Sequence, residues 1–174
     1  SGGRGLERPQ APAPRLFATA AAAPVWSEPA RLATSTVRRN EGSPASRWKT
    51  LAYLDSVLAR REAVAAGADE ALMLNVAGEV ACAAAANVFW IAEGRLFTPD
   101  LACGVLAGVM RERVLRAARG LGLETAEVRA RPSALEDAEA VFLTNSLIGV
   151  RPVAELDGRN LAPSRLVEQL ARTA

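Results

Sequence analysis

The sequence predicts an α+β fold from three features of its residue pattern. Short runs of apolar and β-branched residues lie between Gly and Pro positions, which is typical of strands joined by turns. Longer segments carry apolar residues at helical spacing and end at glycine, which is typical of amphipathic helices. The two kinds of segment alternate along 174 residues, which favours an α+β domain with one main core.

The first part of the chain is expected to be irregular. Residues 1–14 are rich in Gly and Pro, so they predict a linker or an irregular edge in front of a domain that spans residues 15–174. Within that domain the first β-like runs are Arg15–Ala20 and Arg31–Arg38. A loop over residues 40–47, with its own Gly and Pro, then leads to Lys49.

A helix is predicted directly after Lys49, over Thr50–Ala66, with Gly67 ending it. Charged residues lie on one side of this segment, and apolar residues recur at helical spacing on the other. The predicted apolar stripe consists of Leu51, Leu54, Leu58 and Ala65.

The rest of the chain predicts an antiparallel meander of four strands followed by mixed elements. The four strands are Ala71–Asn75, Glu79–Ala83, Asn87–Ile91 and Arg95–Thr98, with Glu93-Gly94 as a hairpin turn. The later elements are a helix over Gly108–Leu121, a strand at Thr125–Ala130, a short helix at Pro132–Asp137, strands at Ala140–Thr144 and Val150–Leu156, and a helix from Ser164.

Composition excludes several classes of function. The chain has no histidine, which excludes Ser-His-Asp triads, Cys-His dyads and zinc sites that use histidine. Cys82 and Cys103 are isolated, so they are expected to be small buried side chains and not a disulfide or a metal site. The arginines are dispersed and the net charge is +2, so no nucleic-acid partner is expected. Without a long apolar run or a signal-peptide layout, no membrane association is expected, and the predicted location is the cytoplasm.

Lys49 is the only lysine among 21 basic residues. Arginine can replace lysine on most surfaces, but its guanidinium stays protonated and cannot attack a carbonyl carbon. A position that remains lysine in such a chain is a candidate for amine chemistry. The alternative is that one lysine persists by chance.

From Lys49 onward the sequence resembles the class IV aminotransferase family, the fold-type IV enzymes that use pyridoxal 5′-phosphate. The resemblance covers roughly residues 31–174 and rests on sequence blocks in the family's order, which are more specific than a single motif. The blocks are WKTLAYLDSVLARREA at 48–63, GADEALMLN at 67–75, GEVACAAAANVFW at 78–90, LFTPDLACGVLAGVMRERVL at 96–115 and AEAVFLTNSLIGVRPV at 138–153.

The resemblance implies a fold and a set of site residues. The fold is the large cofactor-binding domain of the D-amino acid aminotransferase type, in which antiparallel and mixed strands form a barrel-like sheet with flanking helices. Lys49 would condense with the cofactor's aldehyde and then move the Cα proton of the substrate. The remaining implied roles are phosphate binding by the amides of Val109 and Met110 at a helix start and by Ser146 beside Asn145, and contact of Tyr53 with the cofactor's 3′ oxygen. The alternatives are a plain helix start, an ordinary turn and a tyrosine that only packs.

Cys82 is the main departure from the family pattern. It occupies the position of a glutamate that keeps the pyridine nitrogen protonated, and a thiol stabilises a pyridinium less than a carboxylate does. Glu79 is not expected to substitute, because strand alternation would direct it to the opposite face. The asparagine that usually precedes the tyrosine position is replaced by Ala52.

The resemblance also implies partners. Family members carry an N-terminal small domain, absent from the part matched here, which supplies an arginine to the phosphate and much of the substrate pocket. A separate chain could supply it, or the sequence is part of a longer one. A homodimer and a small amino substrate are expected by analogy.

Three functions remain in view. The TNSLIGVRPV and NVFW motifs are most similar to 4-amino-4-deoxychorismate lyase, which releases pyruvate and leaves 4-aminobenzoate for folate synthesis. The second is an amino acid aminotransferase of the D-amino acid or branched-chain type. The third is a catalytically silent relative that acts as a binding subunit.

Overall fold

The strands of the protein join into one mixed sheet that curls into a half-barrel with helices on its outside. The computed structural model describes residues 11, 15–22, 26 and 28–174. The strands are β1 (Ala30–Thr34), β2 (Glu70–Leu74), β3 (Val80–Ala83), β4 (Asn87–Ala92), β5 (Arg95–Pro99), β6 (Thr125–Val128), β7 (Ala140–Asn145), β8 (Gly149–Leu156) and β9 (Arg159–Asn160). The helices are α1 (Leu54–Ala65), α2 (Val109–Gly120), α3 (Ser133–Glu136) and α4 (Arg165–Thr173), with short 3-10 turns at Pro44–Arg47 and Leu101–Cys103.

The strand order along the sheet is β3-β2-β1-β8-β7-β4-β5-β6, and β9 pairs with β8. Three neighbouring pairs are parallel, namely β1 with β2, β1 with β8 and β5 with β6, and the remaining pairs are antiparallel. The two ends of this path approach each other, because Val80 donates from its backbone N–H to the carbonyl of Ala130 over 2.8 Å. The predicted α+β class and the curled mixed sheet are confirmed.

Three apolar clusters hold these layers together. The first joins β1, β2, β3, β4, β7 and β8 with α3, and the second joins β4, β5 and β7 with α2 and α4. Phe89 and Phe142 stack in the second cluster with their ring centres 5.1 Å apart. The third cluster joins β2 and β3 with α1 and contains both cysteines.

Two strand predictions were wrong. Residues Arg15–Ala20 form no strand, and Leu16 and Phe17 are 100% and 86% exposed, so no residue that the structure describes covers or pairs with that segment. The four-strand meander is instead two hairpins in different parts of the sheet, since β3 is an edge strand whereas β4 lies between β5 and β7. Local pattern identified each strand, but it carried no information about which strand would pair with β4.

The helix after Lys49 begins later than predicted and faces the other way. Residues 50–53 form a turn, in which the Ala52 N–H donates to Thr50 Oγ1 over 3.3 Å, and α1 begins at Leu54. A side chain that accepts a backbone hydrogen bond competes with helix formation in this way. The face of α1 that packs on the sheet is made of small residues, Ser56, Ala59 and Ala63.

The predicted stripe of Leu51, Leu54, Leu58 and Ala65 is therefore exposed, with 102%, 68% and 39% of the surface accessible at its three leucines. Small residues on the inner face let α1 approach β2 and β3 closely, so its large apolar side chains remain outside the core of this chain.

The other elements agree with the sequence predictions to within a few residues, except that β1 ends at Thr34 and β9 was not predicted. The hairpin at Glu93-Gly94 is confirmed, since both residues have positive φ. The predicted linker over residues 1–14 lies outside the described residues, apart from Ala11. Among the described residues, no helix has the length and apolar character needed to cross a membrane.

Candidate active site

Lys49 lies between the Pro44–Arg47 turn and α1, and its side chain is exposed. Its Nζ lies 3.5 Å from the Tyr53 hydroxyl and 5.1 Å from the centre of the Tyr53 ring. Tyr53 itself is 40% exposed, so it is not a core residue of this chain. The turn at residues 50–53, and not the predicted helix, brings the Tyr53 side chain beside the Lys49 amine.

Cys82 is buried on β3, opposite Met73 of β2. Burial raises the pKa of its thiol to about 11, and the positive charge of Arg39 partly opposes that shift. The thiol is therefore neutral near pH 7. Cys82 cannot contribute the negative charge that a glutamate at this position would supply.

Glu79 is bound elsewhere. Its carboxylate accepts hydrogen bonds from the Asn75 side chain over 2.8 Å and from Arg129 Nε over 3.0 Å, and these bonds lower the pKa of Glu79. Strict alternation fails in β3, because one step of β2 from Met73 to Leu74 is matched by two steps of β3 from Cys82 to Val80, and both Ala81 and Cys82 pack in the cluster under α1. Glu79 is thus unable to take the place of the glutamate missing at position 82 because it is bonded to Asn75 and Arg129, and not because of strand alternation.

The start of α2 offers free backbone amides. Gly108 is the N-cap residue and provides no side-chain cap, so the first N–H groups of the helix, including those of Val109 and Met110, point out of its end. Such an end attracts anions through the amides and the helix dipole. The residues predicted to bind phosphate are therefore placed where an anion can be bound, and Val109 is 70% exposed.

Asn87 ties the start of α2 to the sheet. Its Nδ2 donates to the Leu106 carbonyl over 2.9 Å, and it packs directly against Gly108. Asn87 also pairs with Thr144 across β4 and β7. Thr144 is fully buried, and its hydroxyl has no hydrogen-bond partner among the described residues.

The turn after β7 is held by Asn145. The Asn145 side chain donates to the Ala85 carbonyl over 2.9 Å and accepts from the N–H groups of Leu147 and Ile148 over 2.8 and 2.9 Å. Ser146, between them, is exposed. Asn145 thus shapes the loop that presents Ser146, although both residues were predicted to lie at the phosphate.

Apart from Cys82, which lies on β3, the predicted site residues fall into two groups. Val109, Met110, Asn145 and Ser146 belong to neighbouring segments, because β4 begins beside the start of α2 and pairs with the end of β7. Lys49 and Tyr53 form the second group on an exposed segment. Within residues 28–174, Tyr53 is the only predicted site residue to which the Lys49 side chain forms a hydrogen bond.

Arg39 connects the loop before Lys49 to the turn before α2, and it was missed by sequence reasoning. Its Nε donates to the Gly104 carbonyl over 2.9 Å, and its Nη2 donates to the Ser46 carbonyl over 2.7 Å. The only sequence signal was an arginine between a strand and the loop that leads to Lys49, which does not distinguish it from Arg38. Thr144 was missed as well, because a threonine within an apolar strand is an ordinary β residue.

Comparison with known proteins identifies a matching family model and several relatives. The family model described as amino-transferase class IV matches residues 1–156. The chain is 39% identical over 134 residues to a protein of Aquifex aeolicus named "Probable branched-chain-amino-acid aminotransferase", covering 75% of this chain and 43% of that protein. It is 32% identical over 125 residues to the aminodeoxychorismate lyase of Bacillus subtilis, covering 72% of this chain and 43% of that protein.

A solved structure has the same fold. It is the branched-chain amino acid aminotransferase from Thermobaculum terrenum in its pyridoxal phosphate holo-form, with a TM-score of 0.80, 34% identity, and coverage of 83% of this chain and 49% of that one. The chain thus spans about two fifths of the length of the two curated relatives and about half of the solved one.

Proposed function

The chain belongs to the class IV aminotransferase family, and from that membership we propose that it acts as a pyridoxal 5′-phosphate enzyme, specifically a 4-amino-4-deoxychorismate lyase. The observation that carries the proposal is that the one lysine of the chain, Lys49, has an exposed amine beside a tyrosine hydroxyl. When bound, the cofactor supplies an aldehyde for amines and a ring that withdraws electrons from the substrate's Cα.

The chain's own residues fit the cofactor's phosphate. The uncapped start of α2 directs the amides of Val109 and Met110 outward, and Ser146 adds a hydroxyl from the loop after β7. Gly108 leaves no room for a side chain beside Asn87, so the backbone itself forms this surface. We assign phosphate binding to these three residues.

Lys49 would hold and return the proton at the substrate's Cα once its amine is released. Tyr53 would orient that amine, because its hydroxyl is 3.5 Å from Nζ. An arginine at position 49 could do neither, since its guanidinium does not lose its proton near neutral pH.

Cys82 favours the lyase over a transaminase. Its neutral thiol provides little stabilisation for a positive pyridine nitrogen, whose charge helps the ring hold an electron pair. A transaminase would depend on that capacity of the ring throughout its reaction, whereas a lyase that releases pyruvate would depend on it only briefly. A neutral side chain at position 82 should therefore reduce the rate of a lyase less than the rate of a transaminase.

A branched-chain or D-amino acid aminotransferase is the second candidate. The 39% identity to the Aquifex aeolicus protein and the presence of Tyr53 favour it. The third candidate, a silent binding subunit, is favoured by Cys82 in place of the usual glutamate.

Borohydride reduction of the protein with pyridoxal 5′-phosphate tests the proposal. Peptide mapping should find the reduced adduct on Lys49 in the wild type and none in Lys49→Arg, which keeps the charge but cannot condense. Absence of the adduct in the wild type would support the silent subunit. Pyruvate and 4-aminobenzoate formed from aminodeoxychorismate without 2-oxoglutarate would identify the lyase, and a strict need for 2-oxoglutarate would identify the transaminase.

We also propose that the exposed apolar surface near Lys49 is covered by a second copy of the chain. Trp48, Leu51 and Leu54 are 72%, 102% and 68% exposed, which is unusual for so many large apolar side chains in one segment. Leu54→Lys with Leu58→Lys should convert a dimer to a monomer in sedimentation, without lowering the melting temperature of the monomer. A wild type that is already monomeric would indicate that a different chain or domain covers this surface.

A further inference from the structure

The loop before Lys49 and the turn before α2 are joined by one side chain. Arg39 donates from Nε to the Gly104 carbonyl over 2.9 Å and from Nη2 to the Ser46 carbonyl over 2.7 Å. Ser46 lies three residues before Lys49, and Gly104 lies four residues before the N-cap of α2. A single guanidinium therefore connects the segment that carries the amine to the segment that leads to the anion-binding amides.

A second observation shows that the two segments are in direct contact. A Cβ atom at Gly104 would lie 2.8 Å from the Cα of Glu41, so only glycine allows this approach. Glu41 has little freedom to move away, because its carboxylate accepts hydrogen bonds from the N–H groups of Val76 and Ala77 over 3.0 and 3.2 Å.

The backbone of Arg39 is anchored as well. Its N–H donates to the Leu74 carbonyl over 2.8 Å, and its carbonyl accepts from the N–H of Val76 over 3.1 Å. These two bonds attach Arg39 to the end of β2. The side chain thus extends from a fixed point of the sheet to both loops.

We propose that Arg39 is a positioning residue that holds the Lys49 segment and the start of α2 at the separation required to bind the aldehyde and the phosphate of one cofactor molecule together. This inference rests on the proposed function. The physical reason is that the cofactor ring is rigid, so its two ends can be bound together only if both protein segments keep a fixed separation. The planar guanidinium can donate to two carbonyls in different directions, whereas a lysine amine on a flexible stem holds that geometry poorly.

Separating the cofactor into its parts tests this inference. Pyridoxal carries the aldehyde without the phosphate, and inorganic phosphate carries the anion alone. In Arg39→Met, we expect binding of pyridoxal (absorbance and borohydride trapping) and of phosphate (³¹P NMR) to stay within about twofold of wild type, while the affinity for pyridoxal 5′-phosphate falls at least about tenfold. Arg39→Lys should lose nearly as much. Arg38 is the exposed neighbour of Arg39, so Arg38→Met is the matched control. It should change none of the three affinities.

Gly104→Ala tests the same contact from the other side. The added methyl group should push the two segments apart. It should weaken the binding of pyridoxal 5′-phosphate while leaving the binding of pyridoxal and of phosphate nearly unchanged. Gly122→Ala is the control, since Gly122 has a similar positive φ of 74° but no atom within 4 Å of the added Cβ.

Two results would overturn the inference. One is an Arg39→Met protein that binds pyridoxal 5′-phosphate as the wild type does. The other is a parallel loss for all three ligands together with a lower melting temperature, which would make Arg39 a stability residue only. A wild type that forms no adduct at Lys49 would instead overturn the proposed function, and this inference with it.

Discussion

Asn87 packs so closely against Gly108 that any side chain at position 108 would overlap the Asn87 Oδ1. The same asparagine holds the Leu106 carbonyl over 2.9 Å, so this contact sets where α2 begins. The Asn87 side chain thus links the start of α2 to the sheet, and the absence of a side chain at Gly108 makes room for it.

Gly108→Ala should disturb this contact. Asn87 would have to move and release Leu106, and we expect the free energy of unfolding to fall by about 1–3 kcal/mol in urea denaturation. Gly120→Ala is the matched control, because a Cβ there meets nothing within 4 Å. It lies at the end of the same helix and should be neutral or gain up to about 1 kcal/mol. Equal losses in the two variants would contradict the proposed role of the Asn87 contact.

Thr144 and Thr98 offer a matched pair of buried hydroxyls. Both are fully buried, but the Thr98 hydroxyl donates to the Val88 carbonyl over 2.8 Å, whereas the Thr144 hydroxyl has no partner among the described residues. Thr144→Val should therefore leave stability unchanged or raise it, while Thr98→Val should cost about 1–2 kcal/mol. Thermal unfolding of both variants measures the difference. A loss at Thr144 as large as that at Thr98 would show that its hydroxyl is bonded, for instance to a buried water.

The two cysteines should be poorly reactive in the folded protein. Burial is the largest cause that raises the pKa of both thiols, to about 11, so at pH 8 only roughly a thousandth of each is the reactive thiolate. Labelling with an aromatic disulfide should be at least about 100-fold slower than in the urea-unfolded chain. Fast labelling at Cys82 alone would show that its surroundings open to solvent.

Glu70 should give stability an unusual dependence on pH. Burial raises its pKa above the ordinary value of 4.5, so the folded state holds this proton more tightly than the unfolded state. The contribution of Glu70 to stability is therefore present below pH 4.5 and is lost as the pH rises through the folded pKa. Glu70→Gln should remove this decline in urea titrations between pH 4 and 8.

Glu62 provides a control of opposite sign. Hydrogen bonds from Ser35 and Thr36 lower the pKa of Glu62, so its contribution is present above the ordinary pKa and is lost as the pH falls through the lowered one. Glu62→Gln should lower stability above the ordinary pKa, where this contribution is present, and should remove the decline in stability on the acid side. Unchanged curves for both variants would mean that neither carboxyl differs between the folded and unfolded states.

Part of the fold and of the candidate site was predictable from local pattern. The hairpin at Glu93-Gly94, helix α2 and the strands up to β8 follow from turn residues and periodicity, which act over a few neighbouring residues. The contact between the Lys49 amine and the Tyr53 hydroxyl was not predicted, because it depends on an irregular segment where a helix was expected. The orientation of α1 was wrong because the largest apolar residues were assumed to face the core. The sheet instead accepts small residues such as Ala59 and Ala63.

Composition and ordered sequence blocks are properties of the chain alone, and they were enough to identify the family, the approximate position of most strands and helices, and the single amine available for carbonyl chemistry. The separation of β3 from β4 in the sheet, the outward orientation of the leucines near Lys49 and the link from Ser46 through Arg39 to Gly104 became visible only in the folded chain. These relationships depend on contacts between distant segments. Such contacts are chosen by the packing of the whole domain, and no local periodicity encodes them.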